Sequence, residues 1–449
     1  MTDTPESVRI NNRTELGRSA AHDLALDCLA AGIEAAHPRN VVRDRLAYED
    51  GVLRIAGTPY DLSKYDEVVV LGGGKAAAPV AVELERLLGD ALTGGVVVTN
   101  DSRETERVEV RTGSHPVPDA DGAAGAQAVL ERARETTAES LVLGVMTGGA
   151  SALLPAPGEG VDLDDLRETT GTLLEAGASI DEINAVRKHL SAIKGGKLAA
   201  AAAPAEIACL CFSDVVGDDP STIGSGPFVP DETTFRDARE VFEVHDIDAP
   251  TAVQERFERG ESGDIPETPK PGDVLFEHVT TFTIASSLTA CLAARDAAAD
   301  ADHEAVVLSS RIRGEAREAA KSAVAIGEEI RETGNPVEPP AVVVTGGETT
   351  VTVRGDGEGG PNQEYALGAA VELDEPGVVI AAADTDGIDG ASDYAGGIVA
   401  ADTVTKGEAA AALATNNATP VLEAAEAAIE TGPTGTNVND LRVIVVEER

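Results

Sequence analysis

The sequence predicts an α/β protein of two domains, each built on a largely parallel or mixed sheet flanked by helices. Three observations carry that expectation. Short Val-rich runs alternate with segments whose apolar residues recur three and four apart, the pattern of buried strands between amphipathic helices. Glycine and polar clusters stand directly behind several of those runs, where open sheets bind their ligands. The length of 449 residues exceeds one ordinary core, and no short-period repeat suggests a solenoid.

Residues 15–36, ELGRSAAHDLALDCLAAGIEAA, read as an amphipathic helix. Strands are predicted at 67–71, 95–99, 108–111, 140–146 and 205–212, and helical patterns separate most of them. The segment 259–272 is rich in Gly, Pro and Glu and reads as a linker between domains at 1–258 and 273–449. A second series follows, with strands near 281–285, 305–308, 341–344, 351–353, 378–382 and 442–446 and helices near 287–299, 315–332, 363–373 and 421–430. Four glycine or acidic loops, TGGAS, SDV, TGGET and DTDGIDG, are expected on one ligand edge.

With 79 acidic against 35 basic residues, the formal charge is −44. It is spread along the chain and not gathered in a tail, so the surface repels nucleic acid and anionic membrane alike. Scarce lysine and aromatics with abundant Ala, Gly, Thr and Val fit a high-salt cytoplasm, where acidic side chains keep a protein hydrated. In such a chain an acidic pair such as Asp164-Asp165 or Asp218-Asp219 is weak evidence for a metal. Cysteines at 28, 209, 211 and 291 offer no zinc spacing and are expected to be reduced and buried. The start MTDTPESVRI has neither a basic opening nor an apolar core, and no stretch nears the 18 or so apolar residues of a membrane span. A cytoplasmic protein, monomer or homodimer, is expected.

The stretch 68–81, VVVLGGGKAAAPVA, sets Gly72, Gly73, Gly74 and Lys75 between a strand and a helix. A glycine turn at a helix N-terminus suits phosphate. Neither nucleotide motif fits well, however. Gly72, Gly74 and Ala77 match G-x-G-x-x-A, which has no common use for a lysine, and Ala76 stands where a P-loop needs Ser or Thr. Lysine is rare, eight in all, and four of the eight are Lys75, Lys188, Lys194 and Lys197. Arg187, Lys194 and Lys197 could gather positive charge where a helix breaks at Gly195-Gly196, for capture of an anionic substrate or of phosphates. His115 stands just before Pro116 and Pro118 in a rigid segment, and Asp214 follows an apolar strand at the ligand edge, where a carboxylate could take a hydroxyl proton or bind magnesium.

Nine ordered blocks then carry a resemblance over almost the whole chain: GGGKAAAPVA, TGSHPVPD, TGGASALL, NAVRKHLSAIKGGKLA, SDVVGDDPSTIGSGPFVPD, TGGETTVTV, NQEYALGAA, DTDGIDG and TGPTGTNVNDL. In this order they resemble the glycerate 2-kinases whose C-terminal half is the MOFRL domain, and the acidity suggests a haloarchaeal-like member. The resemblance implies phosphorylation of D-glycerate at its 2-hydroxyl with ATP and Mg2+, in a cleft between two α/β domains, the first Rossmann-like. Lys75 looks like the family's active-site lysine and Asp214 matches its conserved aspartate, as base or metal contact. Asp386 is a weaker magnesium candidate. Gly148, Gly149, Ser151, His115, Arg187, Lys194 and Lys197 are implied in binding substrate or phosphate, and Gly346, Gly347, Glu348, Thr349 and Asn362 in contacting nucleotide.

Pro361 stands where the family commonly has an arginine. Arg311 or Arg313, in a loop behind the strand ending at Leu308, is expected to replace its charge, Arg313 being preferred. An NAD(P)-dependent hydroxypyruvate reductase is the alternative. It would need Asp101 as its ribose-binding acid and a catalytic His-acid pair that the sequence does not show. A non-catalytic binder of sugar acids would have little use for Lys75 and Asp214. The charge itself generates one prediction. Because the screening length grows from about 3 Å at 1 M salt to about 10 Å at 0.1 M, melting temperature and activity should both fall on dilution of salt. An unchanged melting temperature would contradict the salt-adapted reading.

Overall fold

A computed structural model describes residues 8–448. Two compact units divide the chain, one of Val41–Ile284 and one of the segment up to Asn40 together with the chain from Ala285 onward.

The Val41–Ile284 unit opens with an antiparallel meander of β1 (Leu46–Glu49), β2 (Val52–Ile55) and β3 (Thr58–Asp61). Its main sheet runs β6–β5–β4–β7–β8–β9, with β4 at Glu67–Gly73, β5 at Gly94–Thr99, β6 at Val108–Thr112, β7 at Ser140–Met146, β8 at Glu206–Phe212 and β9 at Val279–Ala285. The pairs from β6 to β8 are parallel. Central β7 is buried at every position, which is why it reads as an unbroken apolar run. Val69, Leu71, Val98, Val129, Leu153 and Phe228 share one core cluster. A helical layer of Leu163–Glu175, Ile180–Leu190, Phe235–Val244 and Thr251–Glu261 closes a second cluster on Phe235, Phe242 and Phe257. Three of these helices start in a capping box, Asp162/Asp165, Ser179/Glu182 and Thr234/Asp237, which satisfies backbone donors that helix starts leave open.

The other unit holds a mixed sheet in the order β10–β11–β15–β12–β13–β14, with β10 at Glu304–Ile312, β11 at Ala341–Gly347, β12 at Val378–Asp384, β13 at Gly396–Val399, β14 at Ala428–Ile429 and β15 at Asp440–Val446. β15 runs antiparallel between β11 and β12. Helices Ala316–Thr333 and Pro361–Glu372 cover one core, centred on Val343, Tyr365, Leu367, Ile380 and Ile444.

Several expectations need correction. The first helix does not belong with the segment that follows it. Helix Ala20–Ala36, capped by the Ser19 side chain, packs on helix Ser287–Asp300 and on β15 of the second unit, because its buried face, including Leu26, Leu29 and Ile33, is needed there to cover the sheet. Residues 259–272 lie inside the first unit and do not link the two. Residues 351–353 form no strand: Thr352 N and Oγ1 bond the Glu315 carboxylate at 3.1 and 2.8 Å, so a side chain takes the place of a neighbouring strand. The predicted helix 421–430 is helix Ala418–Ala424 followed by β14. The four loops fall two on each sheet. All four cysteines are free and buried, as expected. Among the described residues no helix is long and apolar enough to cross a membrane.

Helix Ala20–Ala36 carries a testable consequence. A Cβ on Gly32 would lie 2.8 Å from the Ala290 carbonyl oxygen and collide with Leu441. Gly32→Val should therefore destabilise the second unit by about 1–3 kcal/mol, read as a lower urea midpoint. A fragment starting at Ala285 should fold only when residues 1–40 are supplied, measured by circular dichroism with and without the added segment.

Candidate functional site

The Lys75 turn is built by backbone contact. β4 runs on through Gly73, and Gly72 and Gly74 have φ of 151° and 130°, where side chains are disfavoured. A Cβ on Gly72 would strike the Val145 carbonyl and one on Gly74 would strike Thr147. The turn therefore lies directly against the end of β7. Its N–H groups are already used: Gly74 N donates to Val98 O (2.9 Å), Lys75 N to Gly148 O (2.8 Å) and Ala76 N to Thr147 Oγ1 (3.1 Å). The phosphate cradle expected of Gly72, Gly73 and Gly74 is thus replaced by a clamp between two loops, and the side chain of Lys75 is what the turn delivers.

Three predicted residues meet on one dipeptide. A Cβ on Gly149 would lie 3.0 Å from His115 Cδ2 and 3.1 Å from Lys75 Cγ, and one on Gly148 would collide with the Asp214 carboxylate. Lys75, His115 and Asp214, from the loops behind β4, β6 and β8, therefore converge on Gly148-Gly149 behind β7. Asp214 and Lys75 are half-buried and His115 is exposed. A cation, an imidazole and a carboxylate so grouped can hold an oxyanion and accept a proton from a hydroxyl beside it.

The basic block 187–197 separates into two kinds. Lys188 is buried in an ion pair with Asp231 (3.1 Å), and Lys197 Nζ donates to the carbonyls of Lys188 (2.5 Å) and Ser191 (2.8 Å), which closes the C-terminus of helix Ile180–Leu190. Lys197 is thus a helix stop and not the ligand contact expected. Arg187 and Lys194 instead line a pocket with Ser151. Burial pushes the Lys194 and Lys197 ammonium groups down to about 7, and Arg187 reinforces the effect on Lys194.

In the other unit the polar residues behind β11 are bonded among themselves. Thr349 N and Oγ1 and Asn362 Nδ2 all donate to the Asp440 carboxylate (3.0, 3.3 and 2.7 Å), and Arg442, fully buried, donates to both Asp440 and Thr349. Asp389 receives the N–H groups of Asn362 (3.0 Å) and Gln363 (2.9 Å) together with both side-chain amides. It fills the N-terminal anion site of helix Pro361–Glu372. Burial pushes its carboxyl up to about 7 against the pull of those donors. Gly346 and Gly347 pack against Ser287 and Ile312. Among the proposed nucleotide contacts, Gly346, Gly347, Thr349 and Asn362 are therefore occupied with internal packing, and Glu348 is the exposed one. Asp386 is half-buried, its Oδ1 accepting from Ile388 N (2.9 Å).

With this geometry in view, two family models match: a domain of unknown function, DUF4147, over residues 24–258, and the MOFRL family over residues 341–440. A Pyrococcus horikoshii protein named glycerate 2-kinase is 39% identical over 95% of this chain and 98% of its own. The crystal structure of glycerate kinase from Thermotoga maritima matches with a TM-score of 0.83 at 35% identity, covering 94% of this chain and 98% of that one. The chain belongs to the glycerate 2-kinase family. An Agrobacterium vitis protein, 39% identical over 84% of this chain and 87% of its own, bears a provisional hydroxypyruvate reductase name. Asp101, the acid a dinucleotide site would need here, is exposed and paired with Arg103 at 2.6 Å.

For a glycerate 2-kinase the remaining question is charge. Arg311 lies within β10, which runs to Ile312 and not only to Leu308, and Arg313 follows it. Both are exposed, beside the Glu348 turn, whose N–H bonds Ile312 O (2.9 Å). Among the described residues no group of three or more His, Cys, Asp or Glu is arranged to hold a metal. Mg2+ needs only one or two carboxylates beside substrate phosphates, so Asp214 in one unit and Asp386 in the other each fit that donor chemistry. Sequence reasoning passed over Asp389, Asp440, Arg442, Asn184 and Ser225. The visible signal for Arg442 was a lone cation inside the run LRVIVV.

The buried ammonium of Lys197 makes a pH dependence. Its folded value of about 7 lies below the unfolded value near 10.5, so the unfolded chain binds the extra proton and this burial cost fades as pH rises between them. At fixed salt the melting temperature should rise from pH 7 to 8.5, and Lys197→Met should reduce that rise, Lys194 keeping its own share. A slope unchanged in the variant would contradict a buried, titrating Lys197.

Proposed function

We infer that this protein catalyses phosphorylation of D-glycerate at its 2-hydroxyl by ATP, giving 2-phosphoglycerate and ADP, in the cytoplasm. The observation that carries this reading is the convergence of Lys75, His115 and Asp214 on Gly148-Gly149, in a chain of the glycerate 2-kinase family. The glycerate O2 forms a bond to the γ-phosphorus, the bond from that phosphorus to the bridging oxygen of ADP breaks, and the hydroxyl proton passes to Asp214. Phosphoryl transfer asks little covalent chemistry of a protein and much fixed charge. Lys75, anchored through its backbone to Gly148, supplies that charge to the transferring oxygens without reorganising. His115 is placed to donate a further hydrogen bond to the same oxyanion. Mg2+, when bound, supplies positive charge to the phosphates, with Asp214 or Asp386 as its protein contact.

Incubation with D-glycerate, ATP and Mg2+ should release ADP and 2-phosphoglycerate. Hydroxypyruvate-dependent oxidation of NADH without ADP release would overturn the reading. Lys75→Ala should lower kcat by about a hundredfold or more with a smaller change in KM for glycerate, the mark of charge stabilised mainly in the transition state. Asp214→Asn should cost a comparable factor. Near-normal kcat in either would remove that residue from the reacting centre.

A further inference from the structure

In a chain of charge −44, cations find carboxylates easily. Arg132 pairs with Glu67, Arg239 with Glu261 and Arg317 with Glu364. Arg187 and Lys194 break that pattern. Among the described residues Arg187 has neither a hydrogen bond nor an ion pair, and burial alone lowers its affinity for its proton. Lys194, 5% exposed, donates to the carbonyl of Gly224 at 3.2 Å and has no carboxylate partner among those residues. Two like charges brought together without a counter-ion, Lys194 buried and Arg187 half-buried, are costly. Such an arrangement is retained where an anion arrives to complete it.

Both cations line one pocket, whose other walls include Ser151, Pro116, Pro155, Val186 and Leu190 and contain no carboxylate. Arg167, paired with Asp164 at 2.7 Å, reaches the rim through Pro118 O. The pocket is small, with about 60 Å³ open to the centres of water-sized molecules, room for a few small polar groups. A carboxylate is an anion small enough to enter it. Ser151 Oγ lies 3.0 Å from Ser225 Oγ, which donates to Asn184 Oδ1 at 2.9 Å, while the buried Asn184 Nδ2 has no partner. Because Ser225 gives its one proton to Asn184, Ser151 donates to Ser225 and turns only lone pairs toward the pocket.

We propose that Arg187 and Lys194 form the subsite that receives the carboxylate of the small hydroxy-acid substrate. The proposal rests on the kinase reading for the identity of that acid. It separates the work of the two basic clusters: the Lys75 turn serves the phosphoryl group, and the 187–194 pair grips the other end of the acceptor. Because Lys194 is held at about 7 by burial and by Arg187, an arriving carboxylate restores its affinity for a proton, so glycerate binding above pH 7 takes one up.

The test uses the whole protein. Calorimetric titration with D-glycerate at pH 8, in two buffers of different ionisation enthalpy, should show net proton uptake. Lys194→Arg should bind without uptake. Arg187→Ala should raise KM for glycerate at least about tenfold with KM for ATP changed less than about threefold, and Arg187→Lys should recover part of the loss. A rise in KM for ATP in place of that for glycerate, unchanged glycerate binding in Arg187→Ala, or equal proton uptake in Lys194→Arg would each overturn the proposal. Wild-type protein that binds glycerate but releases no ADP would overturn the kinase reading alone, and the binding measurements would still decide the subsite.

Discussion

The candidate site of this protein depends on how closely two backbone turns approach each other. Gly72 and Gly74 let the end of β4 lie directly on Val145 and Thr147 at the end of β7, nearer than any side chain would allow. Through that approach Lys75 N reaches Gly148 O, and through Gly148 and Gly149 the turn also meets Asp214 and His115. Four loops are thereby brought to one point by a contact made mostly of backbone, with the Thr147 hydroxyl as its side-chain member. The polar groups there sit on the ends of rigid parallel strands, which suits chemistry that requires charge fixed in advance.

The second unit reaches rigidity by another route. Its glycines also bring elements close, but the strand ends are tied by carboxylates used as internal anions. Asp389 occupies a helix N-terminus and Asp440 gathers Thr349, Asn362 and Arg442. Asp384, opposite Asp440 in the register, is pushed well above the usual carboxylate range by burial and by its acidic neighbours Asp386 and Asp440. Buried polar networks of this kind hold one arrangement because every alternative leaves a desolvated group unpaired.

Cations in so acidic a chain reveal their use by their partners. Lys188 answers Asp231 and Lys197 closes a helix, and Arg256 binds the carbonyls of His189 and Glu159 at 2.7 Å each. Each is spent on folding. Half-buried Arg187 and buried Lys194 line one pocket and are opposed by no acid among the described residues, which is the ground for the carboxylate subsite proposed above.

By itself the sequence determined the fold class, the central strands and most helices of both sheets, and the family, because alternation of apolar runs and ordered glycine blocks are local properties written in consecutive residues. It also marked Lys75, His115 and Asp214, since each stands just behind a strand. Tertiary structure alone decided which polar residues are available. That Thr349 and Asn362 are consumed by Asp440, that Lys197 caps a helix while Lys194 lines a pocket, and that the turn N–H groups are spent on neighbouring loops all depend on partners distant in the chain. The same holds for helix Ala20–Ala36: its amphipathic pattern was plain, but a pattern specifies that a face is buried, and only packing specifies against what.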